Sequence, residues 1–220
     1  MYRQELLKSL NELAEQMPVG LLHRLVLDAQ EFLNWHHSKK QSRRKWRGQK
    51  PRRIRELCET AGLVTPYNEN CVQPCSYDVH LGYRAHLDTP TGLKEFDLGQ
   101  FSVVNPFFME PGDFMLGETI ENIRLPFNVE AHLHLVSSRA REGLQHAVSG
   151  LVDCGWDGVL TLELKNNLRY GQIGIYPGLR IAQLTFFEYD ECAENPYFGR
   201  YFGDTAVSKA KDGQDFLYFS

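Results

Sequence analysis

No apolar run in this sequence reaches the roughly 20 residues that a bilayer-crossing helix needs, so a membrane-spanning chain is not expected. The opening residues MYRQELLKSL are amphipathic and lack the basic-then-apolar order of a signal peptide, which makes the cytoplasm the expected compartment. Cysteine is sparse. The five, Cys58, Cys71, Cys75, Cys154 and Cys192, are odd in number and follow no framework spacing, so reduced thiols are expected and a disulfide scaffold is not. Cys71 and Cys75 resemble half a zinc site, but no Cys or His pair follows at finger spacing, and two small loop residues is the favoured reading. Acid is missing from residues 39–55, which hold ten Lys or Arg.

What is present divides the chain. Of its 24 basic and 28 acidic residues, residues 1–38 hold three basic and five acidic, which leaves 11 basic and 23 acidic for residues 56–220. A basic segment therefore joins onto a domain of about −12, and this change of composition marks a boundary. Before it, Leu6, Leu7, Leu10, Leu13 and Ala14 recur at helical spacing over residues 2–17. Pro18-Val19-Gly20 breaks the pattern, and Leu21, Leu22, Leu25, Val26, Ala29, Phe32 and Leu33 resume it over 20–37. This reads as a helical hairpin over residues 1–37 that must bury its apolar faces against something else. Residues 38–53 form an aperiodic basic linker. Two readings stand for the 39–55 cluster: a contact with nucleic acid or protein, with Trp46 able to stack on a base, or a solvated tether held near the acidic domain.

Residues 54–220 read as one β domain. RRIRELCETA at 52–61 predicts a short helix stopped by Gly62. From Tyr77 the pattern alternates, and strands are expected at 101–108, 114–119, 129–136, 145–152, 159–165, 173–176 and 179–187. Pro111-Gly112-Asp113, Leu125-Pro126, Gly155 and Pro177-Gly178 separate them. Many short strands with Gly/Pro turns and almost no helix mean an all-β sandwich or barrel. After Phe187 the chain turns polar and aromatic without a period. The density of Tyr and Phe there argues for a tail that folds over something.

Five stretches carry a family likeness: VQPCSYDVHLG at 72–82, PGDFMLGETIENIRLP at 111–126, SSRAREGL at 137–144, VDCGWDGVLTLELKN at 152–166 and YPGLRIAQLTFFE at 176–188. In order and spacing they resemble the dCTP deaminases, which share a fold with the trimeric dUTPases. The resemblance runs from about residue 51 to 208 and leaves out the hairpin and most of the linker. It implies a distorted jelly roll of the dUTPase-like β-clip kind, with the N-terminal hairpin as an appendage. It also implies a homotrimer with active sites between subunits, a deoxyribonucleotide substrate, and Mg²⁺ carried by the triphosphate. Glu163 stands where the deaminases have an acid and plain dUTPases generally do not, and the Gly-rich phosphate-binding tail of dUTPases is missing.

The implied chemistry is conversion of dCTP to dUTP and ammonia. Zinc-dependent nucleobase deaminases carry H-x-E and P-C-x-x-C signatures, and neither is found here. One carboxylate can serve as base and then acid, and the resemblance gives that role to Glu163. Alternation in VLTLELKN alone would make Glu163 a solvent-facing strand residue. Ser137 and Arg141 are implied as its catalytic helpers, although Ser137–Arg141 in isolation reads as a polar turn. Substrate binding is implied at Ser138, Arg139, Asp153, Trp156, Gln183, Tyr197 and Arg200; no metal ligands are. Asp153 is otherwise a turn-capping residue before Gly155, and Trp156 otherwise a packing residue.

Because Asp153 matches the dUTPase carboxylate that activates water, the alternative is a dUTPase or a bifunctional enzyme that continues to dUMP and pyrophosphate. A second alternative is a non-catalytic scaffold of the same fold that binds nucleic acid or protein through its N-terminal extension. Departures from the family are Val136, where an arginine is usual, a spacing one residue short between Leu144 and Asp153, and Asp204, where a glutamine is usual. His132 and His134 share a strand face and read as exposed rather than metal-binding.

Overall fold

The computed structural model describes residues 47–147 and 150–211. The expected hairpin of residues 1–37, residues 38–46 of the basic linker and residues 212–220 lie outside them. No helix among the described residues is long and apolar enough to cross a membrane.

Strand β1 (Arg47–Gly48) and helix α1 (Pro51–Ala61) come first. Pro51 sits in the first helical turn, where its missing N–H leaves no bond unmade, and Gly62 stops the helix in the left-handed conformation at φ 63°. Ile54, Leu57 and Cys58 give α1 one buried face that joins the main core. Arg53 reaches Glu188 with Nε at 3.0 Å and Nη2 at 2.6 Å. The last residues expected in the linker are thus built into the β domain through one strand pairing, one helical turn and one bidentate ion pair.

The remaining strands are β2 (Val64–Thr65), β3 (Tyr77–Leu87), β4 (Lys94–Asp97), β5 (Phe107–Met109), β6 (Phe114–Arg124), β7 (Val129–Leu135), β8 (Leu144–His146), β9 (Leu151–Val152), β10 (Asp157–Asn166), β11 (Ile173–Ile175) and β12 (Arg180–Glu188), with a five-residue helix α2 (Ser137–Arg141) after β7. The main sheet runs β8-β10-β6-β3-β12-β7-β9, with β1 on β12, β2 on β6 and β4 on β3; β5 and β11 form a separate pair. Every pairing is antiparallel.

β3 makes the corner of this curled sheet. Its first half, Tyr77–His80, pairs with β12, and its second half, from Leu81, pairs with β6 and β4. Between Leu81 and Ala85 the register slips against β6, and β6 slips again against β10 between Val159 and Thr161. Such bulges bend and twist the strands that carry them, which lets one sheet fold over a core. Tyr77, Leu81, Leu98, Met109, Met115, Leu162, Leu164 and Phe186 fill that core with almost no exposure. The protein is therefore an all-β, jelly-roll-like domain.

Differences from the expected strands have local causes. The single strand expected at 145–152 is two: β8 pairs with β10, and β9 pairs with β7 at the other end of the sheet. Gly150 makes the second attachment, its carbonyl accepting the Leu133 N–H at 2.7 Å where a Cβ would meet the Leu133 carbonyl at 2.7 Å. The strand expected at 101–108 shrinks to β5, because Ser102 and Asn105 close a tight turn just before Pro106. β6 runs five residues longer than expected, through Arg124.

Candidate active site

Strand β10 builds the site. Its burial alternates: Leu160, Leu162 and Leu164 point into the core, and Val159, Thr161 and Glu163 point the other way. That other face is partly buried. It forms one wall of a cavity of about 760 Å³, the size of a nucleotide pocket, which Asp153 and Trp156 also line. Those two come from the Asp153-Cys154-Gly155-Trp156 turn between β9 and β10, closed by the Trp156 N–H on the Asp153 carbonyl at 3.1 Å. The Trp156 indole donates to the Gly158 carbonyl at 3.2 Å, which fixes the ring at the cavity edge.

Glu163 is electrostatically unusual for a carboxylate. Its Oε2 is shut away from solvent and accepts no hydrogen bond. Burial alone pushes its pKa above the ordinary carboxylate value. Its main chain is held by the Ala147 N–H at 3.0 Å, next to the β8 pairing. His146 in β8, opposite Leu164, is also desolvated, which lowers its pKa, and its Nε2 is likewise buried without a partner. A carboxyl group with raised proton affinity on the wall of a cavity is suited to take up and release a proton.

The tail lines the cavity. Residues 189–211 have no regular strand, yet they pack on the domain. Tyr197 lies against Trp156 with ring centroids 5.4 Å apart, and the Tyr197 N–H donates to the Cys154 carbonyl at 2.8 Å. Tyr201, Asp204, Ser208 and Lys209 line the same cavity. Asp204 is locked on both oxygens, by Ser208 Oγ at 2.7 Å and Lys211 Nζ at 2.7 Å. The acid that stands in place of a glutamine is thus paired within the tail.

The sequence-derived candidates separate into two groups. Glu163, Asp153, Trp156 and Tyr197 share the cavity wall. Ser137, Ser138, Arg139 and Arg141 all lie on α2 and are not among the residues that line it. Ser137, Ser138 and Arg141 are exposed, while Arg139 pairs with Glu142 at 2.6 Å. Gln183 sits in the sheet, where its Oε1 accepts from Ser76 Oγ at 3.3 Å. Arg200 is exposed and donates to the Lys211 carbonyl at 3.1 Å. Arg180 is paired with the buried Asp78 at 3.0 Å. Lys209 also lines the cavity without any signal in the sequence, because no period organises the tail. Among the described residues, no group of three or more His, Cys, Asp or Glu is placed to hold a metal ion.

Comparison with known proteins agrees with this architecture. A family model described as dCTP deaminase-like matches residues 50–189. A dUMP-forming dCTP deaminase of Dictyoglomus turgidum is 39% identical over 140 residues, 58% of this chain and 71% of the relative. Another, of Persephonella marina, is 36% identical over 172 residues, 73% of this chain and 94% of the relative. Among solved structures, a 2′-deoxycytidine 5′-triphosphate deaminase of Agrobacterium tumefaciens superposes with a TM-score of 0.52 at 24% identity. That match covers 64% of this chain and 47% of the other, and it supports the fold. The cavity-bearing jelly roll described above therefore belongs to the dCTP deaminase-like family, and the protein is a hydrolase of nucleotide metabolism.

Proposed function

We propose that the protein is a dCTP deaminase that carries its product on to dUMP. The observation behind this reading is that Glu163 and Asp153 line one cavity, with Asp153 exposed and Glu163 partly buried, which raises its pKa and leaves its Oε2 without a partner. Two carboxyl groups in unlike environments suit two successive proton-transfer tasks. The relatives named as dUMP-forming deaminases favour the two-step reading over release of dUTP.

In the first step, Glu163 takes a proton from a water whose oxygen attacks C4 of the cytosine ring. It returns that proton to the departing amine, giving dUTP and ammonia. In the second step Asp153 activates another water, which cleaves dUTP to dUMP and pyrophosphate. Trp156 and Tyr197 wall the substrate, and Mg²⁺ enters with the triphosphate as part of it. Ser137 and Arg141, exposed on α2, would reach a cavity as the contribution of a neighbouring copy. That copy would belong to a homotrimer in the cytoplasm, with Ser138, Arg139, Gln183 and Arg200 assigned to the phosphates.

Incubation with dCTP, dUTP, dCMP and CTP, followed by assay of ammonia, pyrophosphate and nucleotide products, tests this. Glu163→Gln should lower ammonia release from dCTP by about 10²- to 10⁴-fold. Asp153→Asn should leave ammonia release and stop pyrophosphate, so that dUTP accumulates. Equal loss of both products in Asp153→Asn would remove the two-step assignment. A nucleic-acid contact through residues 39–55 is a separate proposal, supported by ten cations without an acid. Replacing Lys39, Lys40, Arg43, Arg44 and Lys45 by Gln should abolish salt-sensitive oligonucleotide binding.

A further inference from the structure

Glu118 is a carboxylate in the wrong place for a core strand. It lies in β6, 4% exposed, at the point where both neighbouring strands slip register. Burying a carboxylate is unfavourable unless its oxygens are bonded, and here every bond comes from two sources. Arg84 supplies its Nε, 3.0 Å from Oε1 and 3.2 Å from Oε2, and its main-chain N–H, 3.3 Å from Oε1. Val207 of the tail supplies its main-chain N–H to Oε2 at 2.9 Å. The same Arg84 donates its Nη2 to the Thr205 carbonyl. One ion pair thus grips the tail twice within three residues, once through an acceptor and once through a donor.

The surrounding chain is shaped for this grip. The β3 bulge at Gly82–Arg84 faces Glu118 and turns the Arg84 N–H towards it. Gly82 is the residue that clears the space: a Cβ there would sit 2.5 Å from Cγ of Glu118. Upstream of the grip the tail docks on the start of β10, with the Gly203 N–H on the Asp157 carbonyl at 2.7 Å and the Val159 N–H on the Asp204 carbonyl at 2.9 Å. Val207 itself is 7% exposed. Asp204, on one side of the grip, and Ser208 and Lys209, on the other, line the cavity with Glu163.

We propose that Arg84 and Glu118 are positioning residues of the active site. Together they clamp the main chain of Thr205–Val207, so that the flanking tail residues close the cavity over its substrate. Neither lines the cavity; they act through the tail. The role in turnover rests on the deaminase reading above, whereas the hold on the tail stands apart from it, and the two are measured separately.

The experiment uses the full chain with Arg84→Gln and Glu118→Gln, and hydrogen exchange as its first readout. Arg84 has a side chain that is 58% exposed, so its variant should fold even where the buried one does not. The Val207 amide should exchange roughly tenfold faster or more in either variant, as for loss of a charge-assisted bond, with β10 and β6 amides unchanged. Steady-state assay with dCTP should then show KM raised roughly tenfold with a smaller change in kcat, because an open tail weakens capture before chemistry. Unchanged Val207 exchange in Arg84→Gln overturns the clamp. Faster exchange with unaltered KM and kcat overturns its role in positioning. A wild-type protein that turns over no nucleotide overturns the deaminase reading and the positioning role with it, and exchange still decides the clamp.

Discussion

Nδ1 of His80 lies 2.7 Å from Oε1 of Glu121, whose other oxygen accepts the His80 main-chain N–H at 2.9 Å. Glu121 is 4% exposed, so the pair is an ion pair largely out of water. The hydrogen bond to Glu121 raises the His80 pKa, desolvation opposes it, and the charges of Glu121 and Asp78 add to the rise. A histidine whose folded pKa is raised contributes stability that is complete below its unfolded value of about 6.5 and is lost as pH rises through the folded value. The melting temperature should therefore fall as pH increases above about 6.5. His80→Gln should flatten that slope and destabilise the protein at pH 6 by about 1–3 kcal/mol, with the difference shrinking in alkaline buffer. Parallel melting curves at every pH would remove this ion pair as the source.

Glu163 follows the same arithmetic from a different cause. Its pKa is raised because burial penalises the charged form. Any stability advantage of the protonated acid is thus present below the unfolded carboxylate pKa and lost as pH rises through the higher folded value. Above that folded value the ionised side chain is a burden that the fold tolerates. Glu163→Gln should accordingly melt higher than wild type at pH 7–8 and lose this gain near pH 4, while its deaminase activity falls. A variant that is both inactive and less stable at neutral pH would show that Glu163 is a packing residue.

How far the sequence showed this depended on whether a feature repeats along the chain. Strand β10 was legible because Leu160, Leu162 and Leu164 alternate with Thr161 and Glu163. Alternation assigns a face but not what covers it, so on alternation alone Glu163 read as solvent-facing and only the family likeness gave it a role. Helix α1 and its Gly62 stop were legible for the same local reason. The division of 145–152 into β8 and β9 was not, since it depends on Gly150 meeting Leu133 from another strand. Glu118 and Arg84 carry no periodic signal. Gly82 is their trace in the sequence, and it becomes readable only when the residue opposite is known.

Asn166 closes β10 and shows a fully buried polar group with all its bonds made. Its Nδ2 donates to the Met109 carbonyl at 2.9 Å and the Gly171 carbonyl at 2.8 Å, and its Oδ1 accepts the Leu168 N–H at 2.9 Å. It thereby ties β10 to β5 and to the loop before β11. Asn166→Asp replaces two donors by an acceptor facing two carbonyls. It should cost about 3 kcal/mol or more, above the cost of Asn166→Leu, because it buries an unpaired charge. Denaturant unfolding of the two variants checks the order, and a milder loss in Asn166→Asp would contradict the bonding scheme.

Gly82 offers a test of packing at the clamp that needs no substrate. Its backbone is not among those held at positive φ, so alanine is acceptable to the main chain and only the neighbour objects. That neighbour is Glu118, with Cγ 2.5 Å and the main-chain oxygen 3.2 Å from the new methyl group. Gly82→Ala should therefore destabilise by about 1–3 kcal/mol through forced displacement of Glu118, and Val207 exchange should accelerate with it. The cause is separable from ordinary overpacking by a double-mutant cycle. Where Glu118→Ala has already emptied the space, Gly82→Ala meets chiefly the 3.2 Å backbone contact and should cost less than half as much. Additive losses would mean that Gly82 serves the strand for some reason other than Glu118.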